Sequence, residues 1–404
     1  MQISARYKAV EELVAKIFED KWPADSILNA YFRERRFIGA KDRRFISEEV
    51  WNIIRNRRRL EFDAKSKDIR KIMLVYLRDG NWEEIFSGGQ YGMAFLSDEE
   101  QNWLQNLEDV PYPPDVEAEC PLWIYDKIGN ITLLKSLNTA ASADFRVNGT
   151  TRDKVLLQMH NEGYQVENTS FSPLGLRSGS RINLNNCMAF HDGFIEPQDE
   201  ASQLAAILTD ALPQHKIIDY CCGAGGKSLA IADLLKNQGK IEAHDIDFSR
   251  MDALNDRMHR LRITNVVKIS SEQVDKNYDR FIIDAPCSGS GIWRRSPDAK
   301  FRLTPKRLTE LTKIQHDILD IAADRVKIGG RIIYITCSVL AEENHAQIEA
   351  FLKRHNNFEV LNIRDIWSQK IGDFYPFDND KFLQFSPLAT DTDGFFFTAL
   401  QRKS

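Results

Sequence analysis

The chain has 404 residues, 43% of them hydrophobic and 28% charged, with a formal net charge of −5. That length argues for two or three domains. No apolar run approaches the roughly 18 residues of a membrane helix, and the opening stretch lacks a signal-peptide core. A cytoplasmic protein with no membrane attachment is therefore expected. The six cysteines, Cys120, Cys187, Cys221, Cys222, Cys287 and Cys337, form no C-x-x-C pair. That argues against a zinc site, or any metal, and against a disulfide framework.

Residues 1–137 read as all-helical. Apolar residues recur at helical spacing in "YKAVEELVAKIFED", "DRRFISEEVWNIIRNRRRLEF" and "IRKIMLVYLRDG". The proline-rich and acidic stretch 108–120, "EDVPYPPDVEAEC", reads as a linker. Residues 138–212 switch between short strands and a helix and predict a small α+β subdomain. From 213 the strand-like runs "KIIDY", "KIEAHDID", "NVVKIS", "DRFIIDAP" and "GRIIYITCS" alternate with helical patterns, and the chain closes on "FFFTALQRK". Such alternation means a parallel sheet with helices on both faces, whose ligands bind at the carboxyl ends of strands.

The first strand of that region runs into "DYCCGAGGKS". A phosphate-binding P-loop needs a glycine where Cys221 stands. A dinucleotide fingerprint needs G-x-G-x-x-G, and Gly223, Gly225 and Gly226 give G-x-G-G. S-adenosylmethionine is the third candidate, its amino-acid end against the glycine turn and its ribose on a carboxylate at the second strand tip. Asp245, about 20 residues further on, has that spacing. A glycine turn with no ligand stays open as the fourth.

Downstream, "FIIDAPCSGSGIW" ends a strand with Asp284 and Cys287, and "RIIYITCSVLAEEN" ends a later one with Cys337. Two thiols and a carboxylate at neighbouring strand tips suit methylation of a pyrimidine at carbon 5. One thiolate adds to carbon 6 and activates carbon 5, and a second group removes the carbon-5 proton. The alternative is a pair of buried structural cysteines.

The set "DYCCGAGGK", "DID", "DAPCSGSG", "RRSPDAKF" and "TCSVLAEEN" resembles the RNA (cytosine-5)-methyltransferase family, bacterial ribosomal RNA small-subunit methyltransferase B (Fmu/Sun) type. The resemblance runs from about residue 143 to the end and reaches the helical N-terminus more weakly. It implies a Rossmann-like class I methyltransferase core with a mostly parallel seven-stranded sheet over 213–404. It implies an all-α NusB-like RNA-binding domain over 1–137 and a small RNA-contacting linker subdomain over 138–212. It implies methylation of an RNA cytosine, of 16S ribosomal RNA above all, with S-adenosylmethionine as cofactor, by a monomer. Carried over by position, Cys337 is the nucleophile, Cys287 assists release, and Asp284 contacts base and cofactor. Cys221, Cys222, Gly223, Ala224, Gly225, Gly226 and Lys227 form the cofactor loop, and Asp245 is the ribose ligand. The sequence departs from the family pattern at Ala224, where proline is usual, and at Ser270 and Ser271, where an adenine-contacting aspartate is usual. A transfer-RNA substrate, or a non-catalytic assembly factor on the same fold, are the alternatives.

RNA contact is expected at two places. Arg33, Arg35, Arg36, Lys41, Arg43, Arg44, Arg55, Arg57, Arg58 and Arg59 outnumber the acids in their stretch. Trp293, Arg294, Arg295 and Lys300 follow the first cysteine and are expected to hold a splayed-out nucleotide. His244, His316 and His345 show no ligand spacing and read as surface or packing residues.

Overall fold

The structure, a computed structural model, describes residues 1–403. The chain divides into two compact units, one made of Met1–Thr139 with Trp293–Thr304, the other of Ala140–Ile292 with the chain from Pro305 onward.

The first unit is helical, opening with Ile3–Glu19, Ala24–Glu34, Ala40–Arg55, Arg57–Asp63 and Ile69–Tyr76. Val10, Leu13, Val14 and Ile17 lie on one stripe of the first helix and are buried in the unit's core. The stretch expected as a linker belongs to this packing. It forms the short helix Pro114–Glu117 and buries Asp115, Val116, Glu119 and Cys120. Its acids are the partners of the arginines: Arg58 bonds Asp115, and Arg59 Nε donates to Glu119 at 2.6 Å.

The segment Trp293–Thr304 completes the same unit. Trp293 is 1% exposed, and Arg294 and Lys300 are also buried. Ala24 N donates to Asp298 Oδ2 at 3.0 Å, Arg55 Nη2 to the Arg294 carbonyl at 2.7 Å, and Lys300 Nζ to Asn138 Oδ1 at 2.7 Å. Burial pushes the Lys300 ammonium down to about 8, opposed by the charge of Glu119. The expectation that Trp293, Arg294 and Lys300 hold a nucleotide is therefore corrected. They are packed, because an indole and a lysine stem bury well once the ammonium has Asn138 and Glu119 to meet it.

The second unit holds two sheets. The small one is antiparallel, built from β1 (Ala143–Val147), β2 (Glu167–Asn168), β3 (Gly175–Ser178) and β4 (Ile195–Pro197) in the order β2-β3-β1-β4. The large one contains β5 (Lys216–Asp219), β6 (Lys240–Ala243), β7 (Val266–Lys268), β8 (Tyr278–Asp284), β9 (Val326–Thr336), β10 (Phe358–Val360), β11 (Leu383–Phe385) and β12 (Phe395–Arg402). Its order is β10-β12-β9-β8-β5-β6-β7, with β11 also on β12. The sheet thus has eight strands rather than seven, and it is mixed. β5 to β9 pair in parallel, while β12 runs antiparallel to β9, β10 and β11.

Strand alternation sorts the core into two layers. Ile217, Ile282, Ile333, Ile335 and Phe397 pack on one face with the helices Glu200–Leu208, Gly226–Leu234 and Ile363–Lys370. Ile218, Phe281, Ile283, Ile332 and Tyr334 pack on the other with Pro305–Arg325 and His345–Arg354. From β5 the chain winds outward through β6 and β7, then returns to lay β8 on β5's other side. That reversal opens a crevice at the carboxyl ends of β5 and β8.

Trp293→Ala removes a buried indole from the helical unit and is expected to cost about 3–5 kcal/mol, read as a shift in denaturation midpoint. A loss under about 1 kcal/mol would show that the segment does not stabilise that unit.

Candidate active site

The crevice is built from the tips of four strands. β5 ends on Asp219, and the chain turns through Cys221–Gly225 into the helix Gly226–Leu234. Gly225 sits at φ +80°, and a Cβ there would stand 2.4 Å from Leu254 Cδ1, so the turn requires glycine. Gly223 N donates to Asp245 Oδ2 at 2.9 Å, which ties the turn to the tip of β6. Arg250 Nη1 and the Asp247 amide also reach the Asp245 carboxylate, at 3.2 and 3.1 Å.

These residues fit a nucleoside-bearing cofactor. A buried carboxylate stands beside a tight backbone turn, and the next side chain, Ile246, is 90% exposed, an apolar surface of the kind a purine face covers. At the tip of β7, Ser271 Oγ is 3.0 Å from His244 Nε2, whose other ring nitrogen is 2.7 Å from the Tyr220 carbonyl. Ser270 bonds Glu272 and Gln273 within its own turn. His244 is thus a buried bridge between strand tips.

Lys227, expected with the cofactor loop, meets Asp284, expected to contact both base and cofactor. Its buried Nζ donates to Asp284 Oδ2 at 2.7 Å and lies 5.1 Å from the Phe395 ring centroid. Beneath it Asp219 is fully buried. Ser228 Oγ donates to Asp219 Oδ2 at 2.6 Å, while Oδ1 has no partner among the described residues. Burial pushes the Asp219 carboxyl up to about 6, offset in part by the Ser228 bond.

The two cysteine tips meet: Cys287 Sγ and Cys337 Sγ are 3.3 Å apart, both as free thiols. The hydrogen bond to Cys337, then burial, pushes the Cys287 thiol well above its ordinary range. Three tethers stitch the loops that carry them. Gly291 N donates to the Cys337 carbonyl at 3.0 Å, and Ser290 Oγ is 2.9 Å from Ser338 Oγ. Gly291 also lies so close to Gly394 that a Cβ would meet its carbonyl oxygen at 1.8 Å. The third tether is Glu343, which is fully buried. It accepts from Ser288 N at 2.8 Å, from Gln315 Nε2 at 3.0 Å, and from the hydroxyls of Ser288 and Ser338. Sequence reasoning passed over Glu343. It stands in "TCSVLAEEN" beside Glu342, and nothing in that string tells which of the two turns inward.

The N-terminal cations divide in a way that their count did not suggest. Arg35 stacks on Tyr31, Arg43 bonds the Ile38 carbonyl, Arg44 pairs with Glu48, and Arg57 with Glu61. Arg55, Arg58 and Arg59 are held as described above. Arg33, Arg36 and Lys41 remain exposed with no carboxylate partner among the described residues, around Phe37, which is 80% exposed. Among the described residues no helix is long and apolar enough to cross a membrane, and no cluster of three or more metal-ligating side chains occurs.

A doubly wound mixed sheet with a glycine turn and an acid at adjoining strand tips is a Rossmann-like core, and it fits a methyltransferase. Residues 206–401 match the family model described as 16S rRNA methyltransferase RsmB/F. The chain is 32% identical over 290 residues to the probable ribosomal RNA small subunit methyltransferase B of Bacillus subtilis (strain 168), covering 69% of this chain and 62% of that protein. The chain thus carries an RsmB/F-type methyltransferase domain over residues 206–401, and it spans under two thirds of that relative's length. The crystal structure of PH0851 superposes with a TM-score of 0.77 at 23% identity, over 99% of this chain and 98% of that one. A methyltransferase homolog protein from Pyrococcus horikoshii gives 0.61 at 22%, over 72% and 97%. Both share the fold.

The Asp219 carboxyl keeps its proton in the folded chain to a higher pH than in the unfolded one. Its contribution is complete below pH 4 and is lost as pH rises through about 6. Against Asp219→Asn, wild type is expected to lose on the order of 3 kcal/mol between pH 4 and 7, read by chemical denaturation at each pH. Parallel stability curves for the two proteins would refute this.

Proposed function

We propose that the protein is an S-adenosylmethionine-dependent RNA (cytosine-5)-methyltransferase acting on 16S ribosomal RNA. The observation that carries this reading is the pair of free thiols 3.3 Å apart beside the Lys227–Asp284 ion pair, at the switch point of the sheet. The Gly223–Asp245 turn would hold the cofactor, which when bound supplies an electrophilic methyl group.

The chain's own residues divide the remaining work. Lys227 and Asp284 offer a cation and a carboxylate to the polar edge of a cytosine drawn out of its stack. Cys337 adds to carbon 6 as thiolate, and the electron pair of the 5,6 double bond moves to carbon 5. A thiol with a raised pKa is little ionised at neutral pH, and its thiolate is the stronger base. That argues against Cys287 for the first attack; once its own proton has passed to solvent, its thiolate takes the carbon-5 proton. When that proton leaves, the carbon 6–sulfur bond breaks and the double bond returns.

The helical unit, read as NusB-like, binds RNA through the turn at Phe37. Three unpaired cations there meet phosphates, and the exposed ring stacks on a base.

Cys337→Ala is expected to abolish methylation and to form no covalent adduct with RNA. Cys287→Ala is expected to stall as a covalent protein–RNA species on a denaturing gel. Methylation surviving in both would end the mechanism, and binding without methylation by wild type would favour the assembly-factor reading. Bisulfite sequencing of RNA from a deletion strain separates ribosomal from transfer RNA. Phe37→Ala is expected to raise KM for RNA by about tenfold with kcat unchanged, and Arg36→Ala to lower the salt slope of binding by about one. An unchanged KM and slope would remove this turn from the RNA path.

A further inference from the structure

The small antiparallel sheet, expected to contact RNA, reaches the cofactor turn from behind. Glu196 on β4 is buried and accepts from Arg257 on the helix Leu254–Leu261, Nε at 3.0 Å and Nη2 at 2.7 Å. Arg257 Nη1 donates in turn to the carbonyl of Ala224. Two residues past Glu196, Gln198 Nε2 donates to the Gly226 carbonyl at 3.3 Å, and its Oε1 accepts from Arg146 Nε at 2.9 Å. Arg146 is fully buried on β1 and reaches Asp233, on the helix that the turn starts, at 3.4 Å.

The turn needs such support. Ala224 lies between Gly223 at φ +52° and Gly225 at φ +80°, and its side chain is exposed. Flanking glycines give the Ala224 peptide the widest rotational freedom a chain allows, and an exposed methyl offers no packing to limit it. A carbonyl fixed by a guanidinium, itself held by a buried carboxylate, removes that freedom before any ligand arrives. Preorganisation of this kind appears as affinity.

We propose that Arg257 is a positioning residue for S-adenosylmethionine: through the Ala224 carbonyl it holds the glycine turn in its binding shape, with Glu196 of the small sheet as its anchor. The inference rests on reading that turn as the cofactor site. Arg260 supplies an internal control, because it pairs with the same Glu196 and bonds the Phe190 and Ile195 carbonyls without touching the turn.

The test is calorimetric titration of the full chain with S-adenosylmethionine alone, beside the KM for that cofactor and kcat at saturation. Arg257→Met is expected to weaken binding about tenfold and to raise that KM with kcat unchanged. Arg257→Lys, which keeps a charge and a donor, is expected to recover part of the loss, and Arg260→Met to bind within about twofold of wild type. Tight binding by Arg257→Met, an equal loss in Arg260→Met, or a fall in kcat at unchanged KM overturns the proposal. If Arg257→Met does not fold, Glu196→Gln and Arg257→Lys are read against the same expectations. A wild-type chain that fails to bind S-adenosylmethionine overturns the cofactor reading itself, which distinguishes that failure from failure of the brace alone.

Discussion

A buried carboxylate surrounded by neutral donors sets the geometry of the crevice. Glu343 meets a backbone amide, two serine hydroxyls and a glutamine amide and, among the described residues, no cation. Burying a charge is costly unless every lone pair finds a donor. The cost is met here because those donors come from both cysteine loops and from the helix Pro305–Arg325. The loops after β8 and β9 therefore close on one point. The contact of the two sulfurs follows from that closure and from the parallel pairing of the strands beneath.

The same dependence runs through the rest of the second unit. Parallel strands put Asp219, Asp245, Asp284 and Cys337 at one end of the sheet without any special local sequence. What differs from tip to tip is the neighbour that each acid meets: Ser228, the Gly223 amide, Lys227. Similar carboxylates thereby receive different surroundings, and full burial pushes the Asp219 carboxyl, with one oxygen unpartnered among the described residues, above its ordinary range. The antiparallel β12 brings Phe395 beneath Lys227, so the last strand contributes to the site although no polar residue marks it.

Much of this is legible in the sequence itself. Apolar runs such as "FIID" and "IIYIT" announce strands buried on both faces, and the residues that end them are the chemistry-bearing ones. Two things were not legible. Whether β12 would pair antiparallel depends on a long return connection, which alternation does not encode. And a cation's task depends on who faces it. Arg58 and Arg59 look like phosphate contacts in "NRRRLEF", yet their acids lie some sixty positions away in a stretch that reads as a linker. Trp293 and Lys300 mislead in the same way, since an aromatic beside cations has one composition in an RNA-binding loop and in a packed core.

The excursion of residues 293–304 into the helical unit also constrains how the protein is made. As the nascent chain emerges from the ribosome, the N-terminal helices form first but lack one wall. The partners that Asp298, the Arg294 carbonyl and Lys300 supply to Ala24, Arg55 and Asn138 are absent until some 150 further residues have been translated. Completion of the amino-terminal unit is thus timed by synthesis of the second unit.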